Sequence, residues 1–173
     1  MIVKMNELFK FCPRCGASSI QQQVRNLLSC TNCGFHFYRN PAVAVAAIIV
    51  DSENRILLIR RAKDPAKGKL ALPGGFVDFD ETAESALHRE ISEELGLALE
   101  SIAYLTSHPN HYLYREVTYP VLDLFFVCRP VATETSLMRT EVESVCWIEP
   151  DQVDLREIAF DSMKEALRCY FAR

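Results

Sequence analysis

The stretch Arg89-Glu90-Ile91-Ser92-Glu93-Glu94-Leu95-Gly96 sets three carboxylates three and four residues apart. On a helix those spacings make neighbours, and like charges there cost a few tenths of a kcal/mol per pair. Glu93 and Glu94 also fall in the expected last turn, where the helix dipole favours cations instead. A lone EE pair is commonly a solvated acidic face. Here the preceding Pro73-Gly74-Gly75 turn adds a backbone that can approach closely. Carboxylates at i, i+3 and i+4, with a carbonyl from that turn, make an oxygen cage suited to Mg2+ or Mn2+. A divalent cation would offset both penalties.

A second constellation is made of sulfur. The pairs Cys12-x-x-Cys15 and Cys30-x-x-Cys33, fourteen residues apart, can converge on one tetrahedral Zn2+. Two pairs at this spacing match a four-thiolate site better than a redox C-x-x-C. Four protein ligands leave no open position, which makes such an ion structural. Gly16 and Gly34 each follow the second cysteine of a pair, where a residue tolerant of positive φ is favoured.

These residues need two scaffolds. Residues 1–40 bury too little to fold alone, so the metal would supply the missing stability of a small ribbon. Arg39-Asn40-Pro41 is a turn signal and opens a second domain over 41–173. Its run Ala42–Val50 has the length and β-branching of a buried strand, and Arg55–Ile59 reads as the next. Glu81–Leu95 carries the helical stripe Ala83, Leu87, Ile91 and Leu95, with Asp80 as N-cap and Gly96 as stop. Ala83 and Ala86 share a sector with the glutamates and are expected to leave space above them. Strands are expected around Ala103–Thr106, Thr118–Cys128 and Val142–Ile148, and a last amphipathic helix over Phe160–Phe171. Two helices on a mixed sheet give an α+β sandwich.

The bulk properties agree with one ordinary domain and a small appendage. The chain has 173 residues, of which 49% are hydrophobic and 24% charged, enough for a real core. A net charge of −4 argues against electrostatically driven binding to nucleic acid or an anionic membrane. No apolar run reaches the ~20 residues of a membrane span. The first residues hold no apolar signal-peptide region, which points to the cytoplasm, where seven cysteines stay reduced.

Gly75, five residues, Glu81, seven residues, then Arg89-Glu90-Ile91-Ser92-Glu93-Glu94-Leu95-Gly96-Leu97 resembles the Nudix box at every defined position. The resemblance covers Ala42 to the C-terminus and implies a Nudix-type α/β/α sandwich. It implies that Glu90, Glu93 and Glu94 hold Mg2+ or Mn2+ with the Gly74 carbonyl, that Arg89 orients them, and that Glu81 braces Arg89. The implied reaction is hydrolysis of a nucleoside diphosphate derivative, with the general base on the box helix or in a late loop, where Glu141 stands. A zinc ribbon ahead of such a domain is similar to the order in NADH pyrophosphatases, which carry S-Q-P-W-P-F-P-x-S after the box. This chain has Ser107-His108-Pro109-Asn110-His111-Tyr112-Leu113-Tyr114-Arg115 there, keeping the serine and first proline but not the tryptophan. ADP-ribose or NAD(H) is therefore the expected substrate, with Tyr112 or Tyr114 stacking on the purine and Arg60 and Arg61 contacting phosphate. The alternatives are a dinucleoside polyphosphate or capped-RNA hydrolase, or a non-catalytic nucleotide-sensing module. The partners expected are a small nucleotide and, from the resemblance, a second copy in a homodimer, with no membrane and no nucleic acid.

Overall fold

The computed structural model describes residues 3–4 and 9–173. In chain order its strands are β1 (Val3–Lys4), β2 (Ile20–Val24), β3 (Leu27–Cys30), β4 (His36–Tyr38), β5 (Ala42–Ile49), β6 (Ile56–Arg61), β7 (Leu70–Ala71), β8 (Leu99–Tyr114), β9 (Val117–Pro130) and β10 (Val142–Ile148). Two α-helices, α1 (Ala83–Leu95) and α2 (Asp161–Phe171), complete the set. The chain forms two compact units. One comprises the described residues up to Pro41 with His111–Pro120, and the other Ala42–Asn110 with Val121–Arg173.

The first unit is a three-stranded antiparallel sheet in the order β2-β3-β4, with Leu28 opposite Gln22 and Phe37. Its buried apolar side chains are few: Leu28, Cys12 and Cys30, helped by a Phe9–Phe37 ring contact at 5.2 Å. The β8–β9 turn also belongs to it, and there β1 runs parallel to β9 with Val3 opposite Val117. That turn places Arg115 and Glu116 at φ 45° and 65° without a glycine. Lacking the usual Asn-Gly signal, the hairpin was invisible in the sequence. Consequently β8 runs from Leu99 to Tyr114, far past the expected Thr106. Pro109 is accommodated because, among the described strands, β8 pairs only with β9 and lies at the sheet edge, where a missing N–H is tolerated.

The second unit is built around β5 and β6. β5 lies parallel to β9, from Ala42 opposite Val121 to Ile49 opposite Cys128. β6 lies between β10 and β7, antiparallel to both. Alternation along β5 and β6 divides the apolar residues between two layers. Val45, Ala47, Ile49, Leu57 and Ile59 pack with Leu87, Ile91 and Leu95 of α1. Ala46, Ile48, Val50, Ile56 and Leu58 pack with Ala166 and Leu167 of α2. A strand covered on both faces must be apolar at every position, which is why Ala42–Val50 reads as one hydrophobic run. The result is the α+β, α/β/α sandwich.

Helix α1 carries the chemistry, and its two ends are held differently from expectation. Its N-cap is Thr82, whose hydroxyl accepts from the Ser85 N–H at 3.1 Å. Asp80 instead occupies a turn at φ 62°, because Glu81 is recruited elsewhere and the helix starts later. Ala86 is fully buried in the core. At the C-terminus Gly96 adopts φ 65°. The last carbonyls are capped by a following segment, with Ser136 N–H donating to Leu95 at 2.7 Å and Met138 N–H to Glu94 at 3.0 Å. These amides satisfy acceptors that would otherwise intensify the negative helix end.

The reassigned cap is testable by chemical denaturation. Thr82→Ala should cost about 1 kcal/mol. Asp80→Gly, which deletes a side chain but suits the left-handed φ, should cost nothing. The reverse order would restore Asp80 as the cap.

Candidate active site and metal centre

Arg89 is the hub of the second unit's polar site. Its guanidinium donates to both oxygens of Glu81, at 3.0 and 2.9 Å, and to Glu90 at 2.7 Å. A longer contact of 3.4 Å reaches Glu93, and the Phe76 carbonyl accepts at 3.0 Å. Glu81 is fixed in turn by the Asp78 N–H, at 3.1 Å. This bidentate pairing holds the Glu81 carboxyl below its ordinary range and the Arg89 guanidinium above its own. Glu81 is therefore a structural partner of Arg89 rather than only a helix-start charge.

The glycine turn meets the same side chains from the opposite direction. Pro73 and Gly75 carbonyls accept from Ala47 and Val45 of β5, at 2.9 and 2.8 Å, so the turn lies flat on that strand. Gly74, at φ 140°, donates its N–H to Glu94 at 2.9 Å. A Cβ on Gly75 would sit 2.4 Å from the Glu90 carboxylate, so a larger residue there would push that carboxylate aside.

The carboxylates are not equivalent. At ~100° per residue Glu94 lies about 20° from Leu87, on the margin of the apolar stripe. It is only 5% exposed. Burial, aided by the charges of Glu90 and Glu141, pushes its carboxyl up to about 8 against the pull of the Gly74 N–H. Glu90 is also raised, first by burial and then by Glu93 and Glu141, despite Arg89. Glu93 is half exposed. Glu81, Glu90 and Glu93 share one arginine, which leaves negative charge without protein compensation, and a divalent cation bound by oxygen donors fits that deficit.

Glu141 joins this group, since its charge acts on both Glu90 and Glu94. Its own ion pair is with Lys63, at 2.5 Å, a residue the sequence did not single out. Arg60 and Arg61 separate, as successive strand residues must. The Arg61 charge acts on Glu94, while Arg61 itself donates to the Pro65 carbonyl at 2.8 Å and stacks over the Phe160 ring at 5.1 Å. The Arg60 charge acts on Cys146, packed on the α2 side, so the structure does not bring it to the carboxylates. Tyr112 and Tyr114 fall in the first unit, whereas the carboxylates fall in the second; Tyr114 is covered by the Arg115 guanidinium at 5.2 Å. His108 lies within β8 beside the Thr106 hydroxyl at 3.3 Å.

The first unit gathers all four expected cysteines. Their sulfurs lie within 4.8 Å of one another, with Cys12–Cys33 and Cys15–Cys30 both at 3.7 Å. A tetrahedron with bonds of ~2.3 Å to sulfur has edges of about 3.8 Å, so the set fits a tetrahedral metal. Both knuckles fold alike: Gly16 N–H donates to Cys12 and Gly34 N–H to Cys30, each at 2.9 Å, with the glycines at φ 74° and 69°. Burial raises the Cys30 thiol, but the Cys33 and Asn32 backbone amides outweigh it and bring it to about 6. The Phe35 amide pulls Cys33 down, yet burial and its three thiol neighbours push it to about 12. Sulfurs crowded this closely cannot all ionise without a cation.

The NUDIX domain family model matches residues 40–168, and the chain belongs to the Nudix family. It is 37% identical over 132 residues to the ADP-ribose pyrophosphatase of Methanocaldococcus jannaschii, covering 75% of this chain and 73% of that one. With the NAD-capped RNA hydrolase NudC of Haemophilus influenzae (strain PittGG) it shares 27% identity over 146 residues, 83% of this chain and 52% of NudC. The MutT NUDIX hydrolase of Burkholderia pseudomallei superposes with a TM-score of 0.65 at 30% identity, over 75% of this chain and 97% of that one. No helix among the described residues is long and apolar enough to cross a membrane.

Glu94 makes stability depend on pH in a specific window. Its folded value of about 8 exceeds the ordinary 4.5, so the folded state retains a proton that the unfolded chain releases between them. Stability of protein dialysed free of magnesium should therefore fall as pH rises through that window, by on the order of a few kcal/mol. Glu94→Gln should remove this component, matching the wild type near pH 4.5 and exceeding it above pH 8 in urea denaturation. Parallel curves for the two proteins would refute the assignment.

Proposed function

We propose that this chain hydrolyses the diphosphate linkage of an ADP-containing nucleotide, ADP-ribose or NAD(H). The supporting observation is the uncompensated carboxylate cluster set around Arg89, with Glu94 and Glu90 raised by burial and mutual charge. Glu90, Glu93 and Glu94, with the Gly74 carbonyl, are the ligands for Mg2+ or Mn2+ in this reading. When bound, the cation neutralises phosphate oxygens and acidifies an attacking water. Arg89 holds Glu90 and Glu93 in register, and the Gly74 N–H holds Glu94. Glu141 removes the proton from the water as general base. Arg61 faces the same cluster and contacts a phosphate oxygen of the substrate. The substrate class rests on the 37% identity to an ADP-ribose pyrophosphatase together with the ribbon-then-Nudix order, residues 1–40 and 41–173.

A second reading, cleavage of a nucleotide-capped RNA, has its own support. One relative bears that activity in its name. In addition, residues 1–41 carry Lys4, Lys10, Arg14, Arg25 and Arg39 against Glu7 alone, although the whole chain is net −4. The local charge is thus the opposite of the global one, and a basic segment suits a polyanion.

Two experiments test these readings. Cys12, Cys15, Cys30 and Cys33 should hold zinc, so elemental analysis of protein purified without added metal should give about one zinc per chain; none at all would sink the ribbon. A panel of ADP-ribose, NADH, dinucleoside polyphosphates, nucleoside triphosphates and NAD-capped RNA with Mg2+ or Mn2+ then ranks substrates by product. AMP plus a phosphorylated second half is expected from ADP-ribose or NADH, and Glu93→Gln should lower turnover by on the order of 10²-fold or more. Fastest cleavage of triphosphates would overturn the substrate class, and an active Glu93→Gln the metal ligands.

A further inference from the structure

We propose that Lys63 is a positioning residue for the reaction, fixing the Glu141 carboxylate at the carboxylate cluster. This rests on the reading of Glu141 as general base. The backbone around Glu141 is tied at several points. The Met138 carbonyl accepts from the Glu141 and Val142 N–H groups, both at 3.0 Å, while the Met138 N–H donates to the Glu94 carbonyl at 3.0 Å. One chain turn thus links Glu141 to the end of α1. From the other side, the Ala62 N–H donates to the Glu141 carbonyl at 2.9 Å, extending the β6–β10 pairing by one residue beyond Arg61 opposite Val142. A register shift between Val142 and Ser144 breaks the regular ladder immediately afterwards. Irregularities of this type re-aim side chains beside active sites.

With the main chain fixed, what remains free is the glutamate side chain. Ordering a glutamate side chain costs rotamer entropy. Its neighbours do not favour the arrangement, because the Glu141 charge opposes ionisation of both Glu90 and Glu94. Lys63 supplies the opposing attraction, with its ammonium 2.5 Å from Glu141 Oε1. The two side chains are 49% and 35% exposed, and a pair this wet contributes little to folding. Its placement therefore makes sense as orientation rather than stability. Lys63 lies in the bend just past Arg61, the last residue of β6. The Arg61 charge acts on Glu94, and the Lys63 charge pairs with Glu141. One strand end thus delivers a cation to each of two carboxylates.

The test is a double-mutant cycle on full-length protein, using whichever diphosphate the substrate panel shows to be cleaved fastest. Glu141→Gln should lower kcat by about 10²-fold. Lys63→Met, which keeps the length and removes the charge, should lower kcat by about tenfold with KM within about twofold, and Lys63→Arg should restore most of it. The decisive measurement is Lys63→Met/Glu141→Gln. If Lys63 acts through Glu141, the double variant should be no slower than Glu141→Gln, within about twofold. Multiplied losses, or a Lys63→Met effect confined to KM, would overturn the proposal and place Lys63 on the substrate or in the scaffold. Unchanged kcat in Glu141→Gln would remove both the base and its positioning residue, while loss in Glu93→Gln would leave the metal-dependent hydrolase standing. A wild-type chain that cleaves nothing in the panel would fail the parent reading as well.

Discussion

The crowding of negative charge on one helix is the constraint around which the second unit is organised. Glu90, Glu93 and Glu94 repel one another, and Arg89 alone cannot neutralise them while it is also committed bidentately to Glu81. A helix with this sequence in water would lose stability at its C-terminal end. The fold absorbs the strain in separate ways. Amides of Ser136 and Met138 satisfy the last carbonyls, and the Gly74 amide takes one oxygen of Glu94. The apolar stripe of Leu87, Ile91 and Leu95 anchors the helix to β5 and β6 regardless of charge. What is left over is a deficit of positive charge at a rigid site, the condition under which an external cation binds with little reorganisation.

The same logic recurs in sulfur at the other unit. Its sheet has too little apolar surface to hold itself together, with Leu28 as the only buried branched aliphatic side chain among its described residues. The four thiols stand at tetrahedral separations and oppose one another's ionisation. Here the missing cation would contribute to folding itself, whereas at α1 it would contribute to chemistry. One chain therefore uses two unsatisfied anionic clusters for different ends. Their donor atoms set the difference, since soft thiolates favour zinc-like ions and carboxylate oxygens favour harder ones.

Much of the site was legible because it is local. The spacing of Glu90, Glu93 and Glu94, the cysteine pairs, the stripe on α1 and the glycine stop at Gly96 are all set by helix or turn geometry within a few residues. The buried strand β5 was equally plain, as both of its faces must be apolar. Other features depended on residues far apart in the chain. Thr82 rather than Asp80 caps α1 because Glu81 is drawn to Arg89 and Asp78. Glycine is required at position 74 because a Cβ there would meet the Val45 carbonyl of β5 at 2.2 Å. Arg60 and Arg61 looked like a pair and were split by the pleat.

By itself, then, the sequence determined the chemical inventory and its short-range spacing: three helix carboxylates with their arginine, four paired thiols, and the apolar periodicities of an α/β/α sandwich. Tertiary structure decided which carboxylate is buried and which wet, for Glu94 lies against the core margin while Glu93 faces solvent. It also decided the company each charge keeps, bringing Lys63 to Glu141 across 77 intervening positions and giving Arg61, but not Arg60, a carboxylate neighbour. The physical reason is the range of the forces involved. Helix and turn preferences act over three or four residues, whereas burial and Coulomb interaction depend on distance in space and cannot be read until the chain has folded.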